Sequence, residues 1–212
     1  MLLSLGVVKT VVDVGANVGQ FALLAHDCLP DAQIHSFEPL PDAAETFDKV
    51  TPKDGRIMLH RVALGGEVAT LPIHVTSRAD SSSLLTPALQ SKVFPGTQEI
   101  GTYDVEVKPL DHVLSFADII APALLKIDVQ GYEQQVLQGC VPLLPSFDWI
   151  FVELSFIELY AGQALAPQVI ALLSENGFEL NSVYTDSAAY RGGRMVQADF
   201  LFERRKARDI SA

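Results

Sequence analysis

The acids of this chain sit where its apolar runs end. Residues 11–21 read VVDVGANVGQF, a valine run that breaks into Asp13-x-Gly15-x-x-x-Gly19. Glycine at such a turn permits unusual backbone angles and lets a ligand approach the main chain. Asn17 is placed to cap the helix that follows. Glu38 comes 25 residues after Asp13, in HSFEP, where a second strand should end. A carboxylate there can accept both hydroxyls of a ribose. The spacing disfavours a dinucleotide. In G-x-G-x-x-G the second glycine makes room for a pyrophosphate; counted from Gly15, the later positions hold Asn17 and Gln20. An acid before the first glycine, a ribose acceptor and no phosphate seat together suit S-adenosylmethionine, which carries a ribose and an ammonium.

A second group lies in LLKIDVQGYE. Lys126 and Asp128 are two apart on a strand and point to one face. A lysine in an apolar strand needs a partner, so the plain expectation is a Lys126–Asp128 ion pair at the pocket floor. The sharper one is that Asp128 is a general base or orients an acceptor hydroxyl. Glu153, in WIFVEL, ends the next strand and should converge with Asp128. A divalent ion held by these two carboxylates is the minor alternative, since no third ligand is apparent; no metal residue is assigned. Glu133 falls in a first helical turn, where the helix dipole alone would favour it. The five histidines show no metal spacing. Tyr160 and Tyr184 are expected to pack at the core or rim. Ser81, Ser82 and Ser83 are ordinary loop residues or line the acceptor side.

The chain around these residues has 212 residues, about half apolar, with a formal net charge of −11. Such a charge argues against gripping a phosphate backbone or anionic lipid. The basic run at 204–208 reads as a solvated tail. Cys28 and Cys140 are unpatterned, which suits a reducing compartment. No apolar run has the length of a membrane span, and MLLSLGVVKT lacks the features of a signal peptide. The expectation is a cytoplasmic protein with a small-molecule or glycan partner, no nucleic acid and no membrane insertion; a homo-oligomer is left open.

Elements that alternate must position the acids. Strands are expected at 6–14, 33–38, 56–64, 124–129 and 149–154, with helices at 18–29, 41–50, 132–139 and 166–176. Strands at 68–75 and 103–110 lack a helix between them; the intervening 77–101 is a loop insertion rich in Ser, Pro and Gly. The last two strands, 178–184 and 198–203, are separated by little and so should be antiparallel. This is an α/β open sheet with helices on both faces, in one domain over 1–212. Ligands bind beyond the carboxyl ends of its strands.

Taken in order, VVDVGANVGQFALLA, SFEP, RVALGGEVATLPIHV, LLKIDVQGYEQQVLQG and FVEL resemble the motifs of FkbM-type S-adenosylmethionine-dependent methyltransferases. The resemblance implies a Rossmann-like class I methyltransferase fold, a mostly parallel seven-stranded sheet with an antiparallel last strand. It implies O-methylation of a hydroxyl on a sugar, glycan or small natural product. By the same resemblance Asp13, Gly15, Ala16, Asn17 and Gly19 would line the methionine end of the cofactor. Glu38 would hold the ribose, with Pro39 shaping the strand exit, Ala63 and Leu64 would lie near the adenine, and Asp128 would face the reaction centre; Lys126 and Glu153 join it as catalytic candidates on the residue reading above. Many members of that family carry more chain before the glycine turn, so the cover of the site is expected from elsewhere, such as 77–101, or the site is open. The alternatives are a catalytically idle cofactor-binding module and an NAD-linked oxidoreductase.

Overall fold

The computed structural model describes residues 1–185 and 190–205. Its elements in chain order are β1 (Thr10–Val14), α1 (Gln20–Cys28), β2 (Gln33–Phe37), α2 (Pro41–Val50), β3 (Ile57–His60), β4 (Ala63–Leu64), β5 (Ala69–Thr76), α3 (Gln90–Val93), β6 (Glu99–Lys108), β7 (Ala123–Ile127), α4 (Glu133–Cys140), β8 (Trp149–Ser155), α5 (Ala166–Glu175), β9 (Phe178–Tyr184), β10 (Tyr190–Arg191), β11 (Arg194–Met195) and β12 (Gln197–Arg204).

Seven strands form the main sheet in the order β3-β2-β1-β7-β8-β12-β9. β12 runs antiparallel to both neighbours, while β3, β2, β1, β7 and β8 pair in parallel. Strand order reverses between β1 and β7, so the carboxyl ends of these two strands frame a crevice. The central strands carry helices on both faces and are buried along their length, β1 and β7 apolar but for Thr10, Asp13 and Lys126. Val11 packs with Ala22 and Ala25 of α1 and Phe47 of α2. Val12 and Val14 pack with Val136 and Leu137 of α4 and Val169 and Leu173 of α5.

Local chemistry sets the element ends. Pro41 opens α2, where a missing N–H is harmless, and Asp42 and Lys49 complement its dipole. Gly177, at φ 86°, follows α5 and turns the chain into β9. The first strand begins at Thr10, not at residue 6, because Gly6 at φ 74° turns the chain after a short 3-10 turn at Leu2–Ser4. The strand expected at 56–64 is two strands: β3 stays in the main sheet, but β4 joins β5 and β6 in a separate three-stranded sheet. Arg204 is no solvated tail: its guanidinium lies 4.5 Å over the Phe178 ring and donates to the carbonyls of Phe147 and Leu144. Lys206 and Arg208 of the same run lie outside the described residues.

The insertion between β5 and β6 is tied down on the sheet's carboxyl side. The N–H groups of Ala88, Leu89 and Gln90 all donate to the carbonyl of Leu159, and the Ala161 N–H donates to Thr86. Arg191 Nε donates to the Val93 carbonyl at 2.8 Å.

Candidate active site

A cavity of about 440 Å³ opens over the carboxyl ends of β2, β1, β7 and β8. Its first wall is the turn after β1. Gly15 has φ 76°, and a Cβ there would stand 1.9 Å from the Asp128 carbonyl oxygen, so both conformation and space require glycine. Asn17 is also left-handed, at φ 48°. It does not cap α1: the residue before that helix is Gly19, at φ 96°, and no side chain caps it. The Asn17 amide oxygen is instead buried with no hydrogen-bond partner among the described residues.

Glu38 lies at the end of β2, 6% exposed. Its carboxylate is fixed by two main-chain donors, the N–H of Asn17 at 2.9 Å and of Leu40 at 2.8 Å. Burial pushes its pKa up against the pull of those two hydrogen bonds. Each oxygen keeps a lone pair for a ligand hydroxyl. Pro39, Val62, Ala63 and Leu64 continue the wall as an apolar surface, closed by Phe37, Ile73 and Tyr132. Ala63 and Leu64 reach it from the second sheet, not from the end of β3.

Lys126 departs from expectation. Its Nζ pairs with Asp13 Oδ1 at 3.1 Å, not with Asp128, and donates to the Gly15 carbonyl at 3.1 Å. Asp13 and Lys126 are register partners on neighbouring strands, so their side chains rise side by side. Burial would lower the Lys126 pKa, but Asp13 and Asp128 outweigh it and hold the ammonium charged. Asp13 is fully buried and does not line the cavity. Through Lys126 it is tied to the carbonyl of the glycine turn. Gly19 likewise stands off the cavity, against Phe47 and Thr51.

Across the cavity stand Asp128 and Glu153, joined by a residue the sequence did not single out. Gln130 Nε2 donates to Asp128 Oδ1 at 2.8 Å and to Glu153 Oε2 at 3.1 Å. A cation between the two acids would have to displace that amide. Among the described residues no group of three His, Cys, Asp or Glu side chains is arranged to hold a metal ion. The second Glu153 oxygen accepts from Gln197 Nε2 at 2.8 Å. Burial, then the charges of Asp128, Asp199 and Glu133, push the Glu153 pKa well above the usual carboxylate range. Glu133 lies beneath rather than in the cavity; it accepts the Gly131 N–H at 2.8 Å and is pushed up to about 7 by burial. His35 and His60, on β2 and β3, stack with ring centroids 5.4 Å apart and bring His35 Nδ1 to 3.1 Å from His60 Nε2, with His35 lowered to about 4 by burial.

The serine run borders the cavity in part. Ser82 and Ser83 line it with Asp80 and Leu84, and Phe21, Phe151 and Asp199 close the side toward α1 and β12. Tyr160 is a buried core residue, and Tyr184 packs edge-on against Phe151 at 6.1 Å. Among the cavity residues that sequence reading missed, only Gln130 carried a local signal: a polar residue before glycine just past an apolar strand. Tyr132, Phe151 and Asp199 carried none.

The donor set fits S-adenosylmethionine. A carboxylate pre-set by two N–H groups suits a diol, an orphaned buried amide oxygen suits an ammonium or hydroxyl, and the Gly15 turn leaves the main chain open.

Comparison with known proteins agrees. Residues 13–180 match the family described as the methyltransferase FkbM domain. A Sinorhizobium fredii protein, 2-O-methyltransferase NoeI, is 31% identical over 179 residues, spanning 80% of this chain and 72% of that one. Hexuronic acid methyltransferase AglP of Haloferax volcanii is 28% identical over 145 residues, spanning 67% of this chain and 54% of its own length. In fold, a Listeria monocytogenes structure described as an S-adenosylmethionine-dependent methyltransferase superposes with a TM-score of 0.55 at 10% identity, over 94% of this chain and 92% of that one.

Proposed function

The chain belongs to the FkbM methyltransferase family and is an S-adenosylmethionine-dependent methyltransferase, and from that premise we propose that it methylates a hydroxyl oxygen of a sugar, glycan or small natural product. The names of two relatives support the acceptor class: one is a 2-O-methyltransferase and another a hexuronic acid methyltransferase.

The observation that carries the reading is the carboxylate of Glu38, fixed on one side of a cavity whose other side holds Asp128 and Glu153. Glu38 would accept the ribose hydroxyls, the Gly15–Asn17 turn would meet the methionine end, and Val62, Ala63 and Leu64 would cover the adenine. When bound, the cofactor supplies a methyl group made electrophilic by its sulfonium. The protein's part is to bring an acceptor oxygen within about 3 Å, in line and away from water. A hydroxyl must also lose its proton. Asp128, at the tip of β7, is the base in this reading. Glu153, pushed up by burial and neighbouring charge, stands beside it and shares the Gln130 amide. Lys126 and Asp13 act below the site, fixing the main chain of the glycine turn.

Mass spectrometry of extracts incubated with the protein and isotopically labelled S-adenosylmethionine tests this. A labelled O-methyl product that disappears with Asp128→Ala supports it. Cofactor binding with no labelled product from any acceptor would favour the idle module, and binding of NAD in place of S-adenosylmethionine would overturn the cofactor assignment.

A further inference from the structure

Gln130 makes more hydrogen bonds than any reading of the catalytic acids requires. Its side-chain nitrogen donates to Asp128 and Glu153. Its side-chain oxygen accepts from the Tyr160 hydroxyl at 3.1 Å, and the same hydroxyl lies 2.9 Å from the Ser81 carbonyl. Its main-chain carbonyl accepts from Ser83 Oγ at 2.7 Å. Its backbone is left-handed, at φ 55°, a conformation that costs a non-glycine residue about 1–2 kcal/mol and persists only where surroundings impose it.

These contacts come from three parts of the fold. Asp128 and Glu153 stand at the tips of β7 and β8, Tyr160 lies in the connection from β8 to α5, and Ser81 and Ser83 belong to the insertion between β5 and β6. The insertion is pinned to the Tyr160 connection by main-chain bonds. An amide has two faces, one donating and one accepting. The two carboxylates draw its nitrogen side, and on its oxygen side the Tyr160 hydroxyl shares its one proton between the Gln130 oxygen and the Ser81 carbonyl. Turned the other way, the amide oxygen would face two carboxylates.

We propose that Gln130 is a positioning residue for methyl transfer: it acts through Asp128, aiming that carboxylate into the acceptor side of the cavity, and it is itself aimed by the docked insertion through Tyr160 and Ser83. The acid is thus set when the insertion is seated. The role assigned to Asp128 rests on the methyltransferase reading above; the Gln130 network can be probed without cofactor or acceptor.

The probe is Glu153, which shares the amide with Asp128. The charged groups acting on it are Asp128, Asp199 and Glu133, with Lys126 nearby. The Gln130 hydrogen bond favours its ionised form, so losing that bond moves its titration upward. The experiment follows the ¹³C-carboxyl shift of Glu153 with pH in the ligand-free protein. Gln130→Ala should raise the midpoint. Tyr160→Phe, which keeps the ring and removes only the hydroxyl, should raise it in the same direction by less. In turnover with labelled S-adenosylmethionine and an extract acceptor, Tyr160→Phe should lower kcat several-fold while cofactor affinity stays at the wild-type value. A Glu153 midpoint unchanged in both Gln130→Ala and Tyr160→Phe overturns the proposal. Failure of the protein to bind S-adenosylmethionine would count against the proposed function and leave the titration test standing.

Discussion

Lys126 Nζ stands 3.1 Å from Asp13 Oδ1 across the pairing of β1 with β7, and both side chains are shielded from solvent. The pair sits directly under the turn that opens the cavity, and Lys126 spends a further donor on the carbonyl of Gly15.

Removing one member of such a pair leaves the other charged and buried, at a cost of about 3–5 kcal/mol, whereas replacing both by apolar groups is often neutral. Lys126→Met should therefore destabilise the protein by that amount in urea unfolding. The double variant Lys126→Met, Asp13→Leu should recover most of the loss. Two single effects that simply add would show that the residues do not act as a pair.

Gly15→Ala tests the close approach of β1 and β7. The new methyl would meet the Asp128 carbonyl at 1.9 Å in a left-handed backbone. Strain and overpacking together should cost about 2–5 kcal/mol. Thermal unfolding should show the loss, and S-adenosylmethionine should bind poorly to whatever remains folded. A variant with wild-type melting and wild-type binding would refute the geometry of this turn.

Glu133 gives a pH signature. Its pKa is 4.5 in the unfolded chain and about 7 in the folded one, raised by burial. Below pH about 4.5 both states hold the proton and nothing is lost. Between there and about 7 the unfolded state releases its proton first, so it binds fewer protons and stability falls as pH rises. The fall amounts to about 3 kcal/mol. Glu133→Gln should remove this slope while keeping an acceptor for the Gly131 N–H. Unfolding free energies across this range that slope equally in both proteins would contradict the assignment.

The sequence exposed some elements to the residue. The helix at Pro41–Val50 has proline at its first position, and the strand Phe178–Tyr184 follows a glycine that must be left-handed. Such ends are decided locally. The ion pair was not legible, because its partner depends on which strands lie side by side: Lys126 sits opposite Asp13 only once β1 and β7 are paired. The split of 56–64 was hidden for the same reason, since Ala63 and Leu64 leave the main sheet to pair with Val107 and Lys108. Gly15, Glu38 and Asp128 were legible as cavity residues because strand ends in open sheets converge. Asp199 reaches the cavity on the reversed strand β12, whose placement no short-range pattern records, and Gln130, just past β7, takes partners from the insertion and from the connection after β8.

The central claim is that the carboxylate of Glu38 clasps the sugar of S-adenosylmethionine. Isothermal titration of the ligand into wild-type protein and Glu38→Ala measures it directly. Charge-assisted hydrogen bonds contribute about 1.5–3 kcal/mol, so the variant should bind about 10- to 100-fold more weakly while melting as a folded protein. Equal dissociation constants for the two proteins would contradict the account.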